Sequence, residues 1–298
     1  MEQKHSADIA HLSLAKYQFT CRARGQIILP EYKGPALYGG FGFSLKDISP
    51  FYHKQLCGAK SRQNPYILLP PLDTARQYPP GHIFSFELTL VGNAMEYFPV
   101  CRDAFTLLGE RRGLGKNRGK FDIIAIDSAI PATPDDSTGS TSQSQIVTGD
   151  TIVSARVYTN SPELKLHLIT PLRLKANDKL LRETPSFAVF FARTIGRLNS
   201  LSTFYGDGSI IAPQKKHELL ELAEKIILVK DNSNRRKLSR YSTRQKQWLN
   251  FDGLQGEIIY KGNFAPFWPY LALGEWLHVG GKVNLGLGKY VMEEKKND

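Results

Sequence analysis

Residues 83–126 read IFSFELTLVGNAMEYFPVCRDAFTLLGERRGLGKNRGKFDIIAI. Phe84, Phe86, Leu88 and Leu90 alternate with Ser85, Glu87 and Thr89, the two-residue period of a strand with one buried face. Phe98, Cys101, Phe105 and Leu108 then fall on one stripe at helical spacing. Phe121 to Ile126 is a short apolar run that reads as a buried strand.

The pattern extends upstream. Between Leu12 and Arg24, Ala15, Tyr17, Phe19 and Cys21 alternate with polar positions, which predicts another strand. Leu37, Phe41, Leu45 and Ile48 recur at helical spacing, and Gly39, Gly40 and Gly42 sit inside that helix at a cost to its stability. Three such glycines point to close approach of the helix backbone, either to the sheet beneath or to a ligand. Tyr66 to Leu69, closed by Pro70 and Pro71, is a further short strand. The order is β-α-β-β-α-β, the ferredoxin-like unit.

Residues 127–149, which include DSAIPATPDDSTGSTSQSQ, are polar and aperiodic and read as a mobile linker. Downstream, Leu164, Leu166 and Leu168 alternate with Lys165, His167 and Ile169 in a strand. Phe187, Phe191, Ile195, Leu198 and Leu201 give a helix over residues 187–204, and residues 216–229 read as another. A basic stretch, NRRKLSRYSTRQK, precedes a strand at residues 254–260, a helix at 264–277 and a last strand at 283–292. The fold class expected is α+β, with two tandem ferredoxin-like domains over residues 1–150 and 151–298. The halves share pattern, not sequence.

The chain has 298 residues, 41% hydrophobic and 22% charged, so it can bury a core. Its net charge of +11 favours a polyanionic partner, nucleic acid before an acidic membrane. Cys21, Cys57 and Cys101 are too few and too scattered for a disulfide framework or a zinc site. The N-terminus carries charges where a signal peptide needs an apolar run, and no stretch is apolar enough to span a bilayer. A soluble cytoplasmic protein with reduced thiols is expected.

The C-terminal third, from RYSTRQ at 240–245 to the loop HVGGKVNLGLGKY at 278–290, resembles the CRISPR repeat-RNA processing endoribonucleases of the RAMP superfamily. LPEYKGPALYGGFGFSLKDI, the segment ending YPPGHIFSFELTLVGNA, the run GLGKNRGKF and TPLRLK at 170–175 are similar to further motifs of that family. The resemblance spans most of the chain outside the linker. It implies paired ferredoxin-like domains and an endoribonuclease that cuts CRISPR precursor transcripts into guide RNAs. One departure stands out. Many relatives carry a histidine in or near the first helix, where this chain has Phe43 and Ser44, and the nearest histidine is His53.

RNA supplies its own nucleophile, so cleavage needs no metal or other cofactor in principle. Once sugar and phosphate are held in line, the 2′-hydroxyl attacks intramolecularly, giving a 2′,3′-cyclic phosphate and a 5′-hydroxyl. The protein must move two protons, a task suited to histidine, and offset phosphate charge with lysine or arginine. The catalytic candidates are His278, directly before the glycine loop, and His53, after the first helix, with Tyr38 and Lys46 assisting from that helix. His278 equally suits a cap on the helix end, and His53 an ordinary surface position.

For RNA binding, Gly280, Gly281, Gly286 and Gly288 are expected to open backbone N–H groups to a phosphate, with Lys282 and Lys289 adding charge. The loop has neither Walker nor dinucleotide spacing. Arg235, Arg236, Arg240 and Arg244, interleaved with Tyr241 and Trp248, suit phosphates and unpaired bases. Arg111, Arg112, Lys116, Arg118 and Lys120 form a second basic cluster. The partners expected are repeat RNA, as precursor and processed guide, other CRISPR effector subunits, and a second copy of the chain as an option; no membrane is expected. Two alternatives stay open: a non-catalytic repeat-RNA-binding RAMP subunit of an effector complex, and a basic RNA-binding protein outside CRISPR.

Overall fold

The computed structural model describes residues 9, 12–58, 63–128, 146–158, 160–176, 179–242 and 246–294. It divides into two compact units, Ser13–Val147 and the residues from Thr148 onward with Ile9 and Leu12.

The first unit holds β1 (Ser13–Ala23), α1 (Gly34–Ile48), α2 (Pro50–Cys57), β2 (Tyr66–Leu69), β3 (Ile83–Val91), α3 (Phe98–Leu107) and β4 (Phe121–Ser128). The sheet order is β2-β3-β1-β4 with antiparallel neighbours, as the ferredoxin-like topology requires. The alternation in β1 sends Tyr17, Phe19 and Cys21 inward. Phe19 lies opposite Phe86, their rings stacked at 4.9 Å. Phe105 of α3 packs on Phe86 at 4.7 Å and on Phe41 of α1 at 4.6 Å. Each fully buried aromatic ring contributes about 1.5–3 kcal/mol of transfer free energy, and this stack fixes both helices on one face of the sheet.

Two of the α1 glycines have distinct surroundings. A β-carbon at Gly40 would meet Leu108 Cδ1 at 2.6 Å, so this glycine lets the segment after α3 close on the helix. Nothing lies within 4 Å of a β-carbon at Gly42. Between α3 and β4 the chain makes a π-helical turn at Leu108–Arg112 and then a tight turn bridged at Leu114 and Gly119.

The second unit holds β5 (Glu163–Leu172), α4 (Phe187–Tyr205), α5 (Pro213–Ala223), β6 (Ile227–Arg236), β7 (Ser239–Ser242), β8 (Gln247–Asn250), β9 (Gly253–Lys261), α6 (Trp268–Leu277) and β10 (Tyr290–Glu294). Its four-stranded sheet has the order β6-β9-β5-β10, the same antiparallel topology. Leu164, Leu166 and Leu168 of β5 and the five apolar positions expected on α4 are all buried. Ser186 caps α4, its side chain accepting from the Val189 N–H.

Several boundaries differ from the sequence reading. The helix expected at 216–229 ends at Ala223, and Ile227 opens an edge strand instead. That strand was illegible because Ile227, Leu228 and Val229 are exposed and the polar KDNSNRR follows, so no buried alternation marks it. The basic stretch is thus the end of β6 and the β7–β8 hairpin. The last strand starts at Tyr290, not 283, because Val283–Leu285 is a 3-10 turn inside the glycine loop. The helix expected from 264 starts at Trp268. Of the linker expected at 127–149, Asp127 and Ser128 complete β4, Ile146–Thr148 forms a short strand, and 129–145 lie outside the described residues. Among the described residues, no helix is long and apolar enough to cross a membrane.

The two α1 glycines give opposite expectations. Gly42→Ala raises stability by about 0.5–1 kcal/mol through helix propensity alone. Gly40→Ala lowers it by about 1 kcal/mol, because displacing Leu108 outweighs that gain. Urea unfolding of both variants checks this; equal shifts would show that Gly40 is not a contact glycine.

Candidate RNA-binding and cleavage site

The glycine-rich loop of the second unit folds back on the end of β5. The Val279 N–H donates to the Gly288 carbonyl at 3.0 Å, and the Gly288 N–H to the Pro171 carbonyl at 3.1 Å. The Gly281 N–H donates to the Arg173 carbonyl at 2.7 Å. The Thr170 hydroxyl donates to the Gly286 carbonyl at 2.7 Å and accepts from the Lys289 N–H at 2.9 Å. A β-carbon at Gly288 would sit 1.8 Å from the Val279 carbonyl oxygen, and one at Gly280 would sit 2.5 Å from that of Arg173. Both glycines have positive φ, 74° and 95°.

This changes the reason for the glycines. The Gly281, Gly286 and Gly288 amides donate inside the protein, with Gly286 bonded to Val283 at 2.8 Å. They are therefore not the open donors expected from sequence. What the loop offers a ligand is side-chain charge. Lys282 is exposed in the left-handed region at φ 65°, and Lys289 is half-buried.

His278 ends α6 at φ 56° and is only 3% exposed. Its Nδ1 donates to the Leu287 carbonyl at 3.2 Å, which fixes the tautomer and ties the helix end to the loop. Beside it, Arg197 of α4 donates from Nε to the Leu277 carbonyl at 2.8 Å. Burial lowers the Arg197 pKa to about 9. The buried arginine thus caps the last carbonyl of α6, while the buried histidine that follows it bonds the loop. Arg197 carried no motif in the sequence; a charged position on a largely apolar helix face was its one signal.

The basic stretch separates into anchored and presented groups. Arg235 pairs with Asp252 at 2.7 Å, Asp252 accepts from the Leu238 N–H at 2.9 Å, and Arg173 donates to the Asp252 carbonyl at 2.9 Å. Burial would raise the Asp252 pKa, yet the Leu238 amide and Arg235 outweigh it and hold the carboxyl below its ordinary value. Arg236 donates to Gln255 at 2.8 Å, and Gln255 to the Ile169 carbonyl at 2.8 Å. On the hairpin, Arg240 stands opposite Leu249, and Trp248, opposite Tyr241, is 67% exposed. Arg244 lies outside the described residues.

On the sheet, His167 and Lys165 of β5 are met by carboxylates of neighbouring strands. His167 Nε2 is 2.7 Å from a Glu293 oxygen, and Lys165 lies 3.5 Å from Glu293 and 3.7 Å from Glu257. The two carboxylates neutralise this face; sequence reasoning singled out neither, since both sit on strands read only for their apolar residues.

In the first unit, Tyr38 is half-buried against the core, and Lys46 is exposed in the last turn of α1. Eight residues separate them, about 12 Å along the axis, so the helix does not set them side by side. His53 is half-buried in α2, a helix capped by Ser49. Phe43 of α1 is 55% exposed, with the Arg112 guanidinium 5.6 Å from its ring centre. Asp47 pairs with Arg112.

The LPEYKG motif acquires a structural role. Lys33 is 1% exposed, and its ammonium lies 3.3 Å from Asp73. Tyr78 donates to the same carboxylate at 2.7 Å, and His82 stacks on Tyr78 at 4.4 Å. Against the effect of burial, Tyr78 and Lys33 hold the Asp73 pKa down.

Residues 166–290 match the family model of the CRISPR-associated endoribonuclease Cas6. A second family model, described as an N-terminal domain, matches residues 12–64 and 53–153. No curated protein matches. Among solved structures, a Cas6 product complex is similar with a TM-score of 0.64 at 14% identity, covering 95% of this chain and 100% of that one. Cas6 from Thermus thermophilus matches with a TM-score of 0.62 at 15% identity over 95% and 100%. A partial Cas6-RT-Cas1–Cas2 complex matches with a TM-score of 0.65 at 13% identity, covering 96% of this chain and 47% of that one.

Two outcomes are expected here. Gly288→Ala destabilises the protein by at least about 2 kcal/mol in thermal unfolding, because positive φ and the Val279 carbonyl both oppose a β-carbon; a neutral variant would refute the loop closure. Asp252 has a folded pKa below its ordinary 3.8, so its carboxylate stabilises the fold above that value and ceases to as the pH falls through the depressed one. Asp252→Asn therefore melts below the parent at pH 6, and the gap closes as the pH drops below 3.8. A gap independent of pH would show that the carboxylate charge is not what matters.

Proposed function

We propose that the chain is a CRISPR-associated endoribonuclease of the Cas6 kind, on the match of residues 166–290 to that family's model, and that it binds CRISPR repeat RNA and cuts precursor transcripts into guide RNAs. The observation that carries this reading is the glycine loop closed onto β5, which lies with the basic β7–β8 hairpin inside the residues matched to Cas6. Folding the loop onto β5 fixes the exposed Lys282 on a constrained backbone, where a phosphate contact costs little further ordering. Lys289 and Arg240 add charge, and the exposed Trp248 suits stacking on an unpaired base.

In the proposed chemistry the RNA 2′-hydroxyl attacks the adjacent phosphorus and expels the 5′ oxygen, with no metal required. The products are a 2′,3′-cyclic phosphate and a 5′-hydroxyl. His53, half-exposed on α2, is the candidate for proton transfer, and the exposed Lys46 for offsetting phosphate charge. Tyr38 packs against the core and suits a positioning role. His278, buried and bonded to Leu287, suits holding the loop in place more than exchanging protons with a substrate. Precursor and processed repeat RNA are the partners proposed, with other CRISPR proteins alongside them.

A second reading is favoured by one observation. Phe43 and the buried Ser44 occupy the part of α1 where many relatives place a histidine, which suits a subunit that holds repeat RNA without cutting it.

Repeat RNA incubated with the protein in EDTA, with mapped product ends, separates the two. Cleavage is expected at one site, and a single 2′-deoxy substitution there abolishes it. His53→Ala slows single-turnover cleavage by about a hundredfold or more. His278→Ala lowers the melting temperature and leaves the rate of the folded fraction within a few-fold. Binding without cleavage would favour the second reading, and full activity of His53→Ala would remove that residue from the chemistry.

A further inference from the structure

The turn that joins α3 to β4 carries a charge distribution that the site above does not use. Residues 108–120, LGERRGLGKNRGK, hold five cations against one carboxylate, Glu110. The structure ties down two of the cations: Arg112 pairs with Asp47, and Lys120 donates to the Arg111 carbonyl. Carboxylates on flanking segments are occupied as well, Asp122 by Arg24 and Glu31 by Arg76. Arg111, Lys116 and Arg118 are left exposed, and among the described residues they form no ion pair.

The backbone beneath these three groups is constrained. Leu114 and Gly119 exchange hydrogen bonds at 2.8 and 3.0 Å. The Lys116 N–H donates to the Ile28 carbonyl at 2.9 Å, and Asn117 bonds both the Ile28 N–H, at 3.0 Å, and the Gln26 carbonyl, at 2.6 Å. β-Carbons at Gly113, Gly115 and Gly119 would meet backbone oxygens at 2.0, 2.1 and 2.5 Å. Arg118 itself stands in the left-handed region at φ 52°, where glycine or asparagine would be the easier residue. A solvated charge run needs none of this fixing. Cations on a prefixed backbone lose less freedom when they bind, which is what a polyanion contact uses.

We propose that Arg111, Lys116 and Arg118 form a second phosphate-contact site, in the first unit, for the RNA backbone. The proposal rests on the reading of the chain as a repeat-RNA-binding protein, and it extends that reading to a turn outside the residues matched to Cas6. The contact is sequence-independent, since ammonium and guanidinium groups here address phosphate oxygens and not base edges.

The test compares the parent, the double variant Lys116→Gln/Arg118→Asn and the control Lys215→Gln/Lys225→Gln, with Kd for repeat RNA measured at several salt concentrations. Asparagine tolerates the left-handed backbone, and matched melting temperatures establish that the variant is folded. Losing two phosphate contacts should weaken binding about tenfold near physiological salt and lower the salt slope by about 1.4. The control variant, which loses the same charge elsewhere, should bind as the parent does. Parent-like affinity and slope in the double variant would overturn the proposal while leaving the RNA-binding reading intact. Equal losses in the control would also overturn it, by reducing the effect to net charge. A parent that fails to bind repeat RNA would overturn the underlying reading and this proposal with it. Should the double variant melt early, Lys116→Gln alone, which leaves Arg118 in place, is expected to lower the slope by about half as much, and an unchanged slope would overturn the proposal.

Discussion

At Gly288 the chain passes so close to the Val279 carbonyl that there is no room for a β-carbon, and the candidate site of the second unit follows from that approach. It folds the segment between α6 and β10 onto the end of β5. Thr170 holds the closure from the β5 side by donating to Gly286 and accepting from Lys289. Arg173, two residues beyond Pro171, receives the Gly281 amide on its carbonyl and reaches with its guanidinium to the Asp252 backbone. Asp252 in turn receives Arg235 and the Leu238 amide at the base of the β7–β8 hairpin. Loop, strand end and hairpin base are therefore one hydrogen-bonded piece, and a change in any part is felt in the others.

The same interactions sort the positive charge. A net charge of +11 describes the whole chain and says nothing about where a polyanion could lie. Arg173, Arg235 and Arg236 contact protein oxygens that shape the hairpin base. Lys165 and His167 are met by Glu257 and Glu293 on neighbouring strands. Lys282, on the closed loop, is exposed. Exposed surface pairs contribute little to stability, typically under about 1 kcal/mol, so their consequence here is chiefly to remove cations from those available to a ligand.

The two units repeat one solution with unlike residues. In each, the connection from the second sheet-packing helix to the last strand is a glycine turn that leans on a neighbouring backbone, Ile28 and Gln26 in the first and Pro171 and Arg173 in the second. In each, a buried cation sits where a helix terminates, Lys33 at the start of α1 and Arg197 against the end of α6. Burying such a group is costly without partners, and in both cases the hydrogen bonds run to backbone carbonyls, joined in the first unit by the Asp73 carboxylate.

Periodicity located all four strands of the β2-β3-β1-β4 order in the first ferredoxin-like unit and three of the four in the second, because a strand or helix buried on one face must place apolar residues at its own repeat, as Phe84 to Leu90 and Phe187 to Leu201 do. The same logic missed β6, whose exposed edge position removes the alternation. The motif residues of the candidate site were likewise visible as residues, yet their roles were not. Whether a glycine presents its amide or yields space, whether His278 faces solvent or bonds the loop, and whether an arginine meets a carboxylate or stays exposed all depend on partners elsewhere in the chain. Those partners, Thr170, Arg197, Asp252 and Glu293 among them, come within reach only when the strands pair. Local sequence encodes which face of each element is buried; only tertiary packing decides what each polar group meets there.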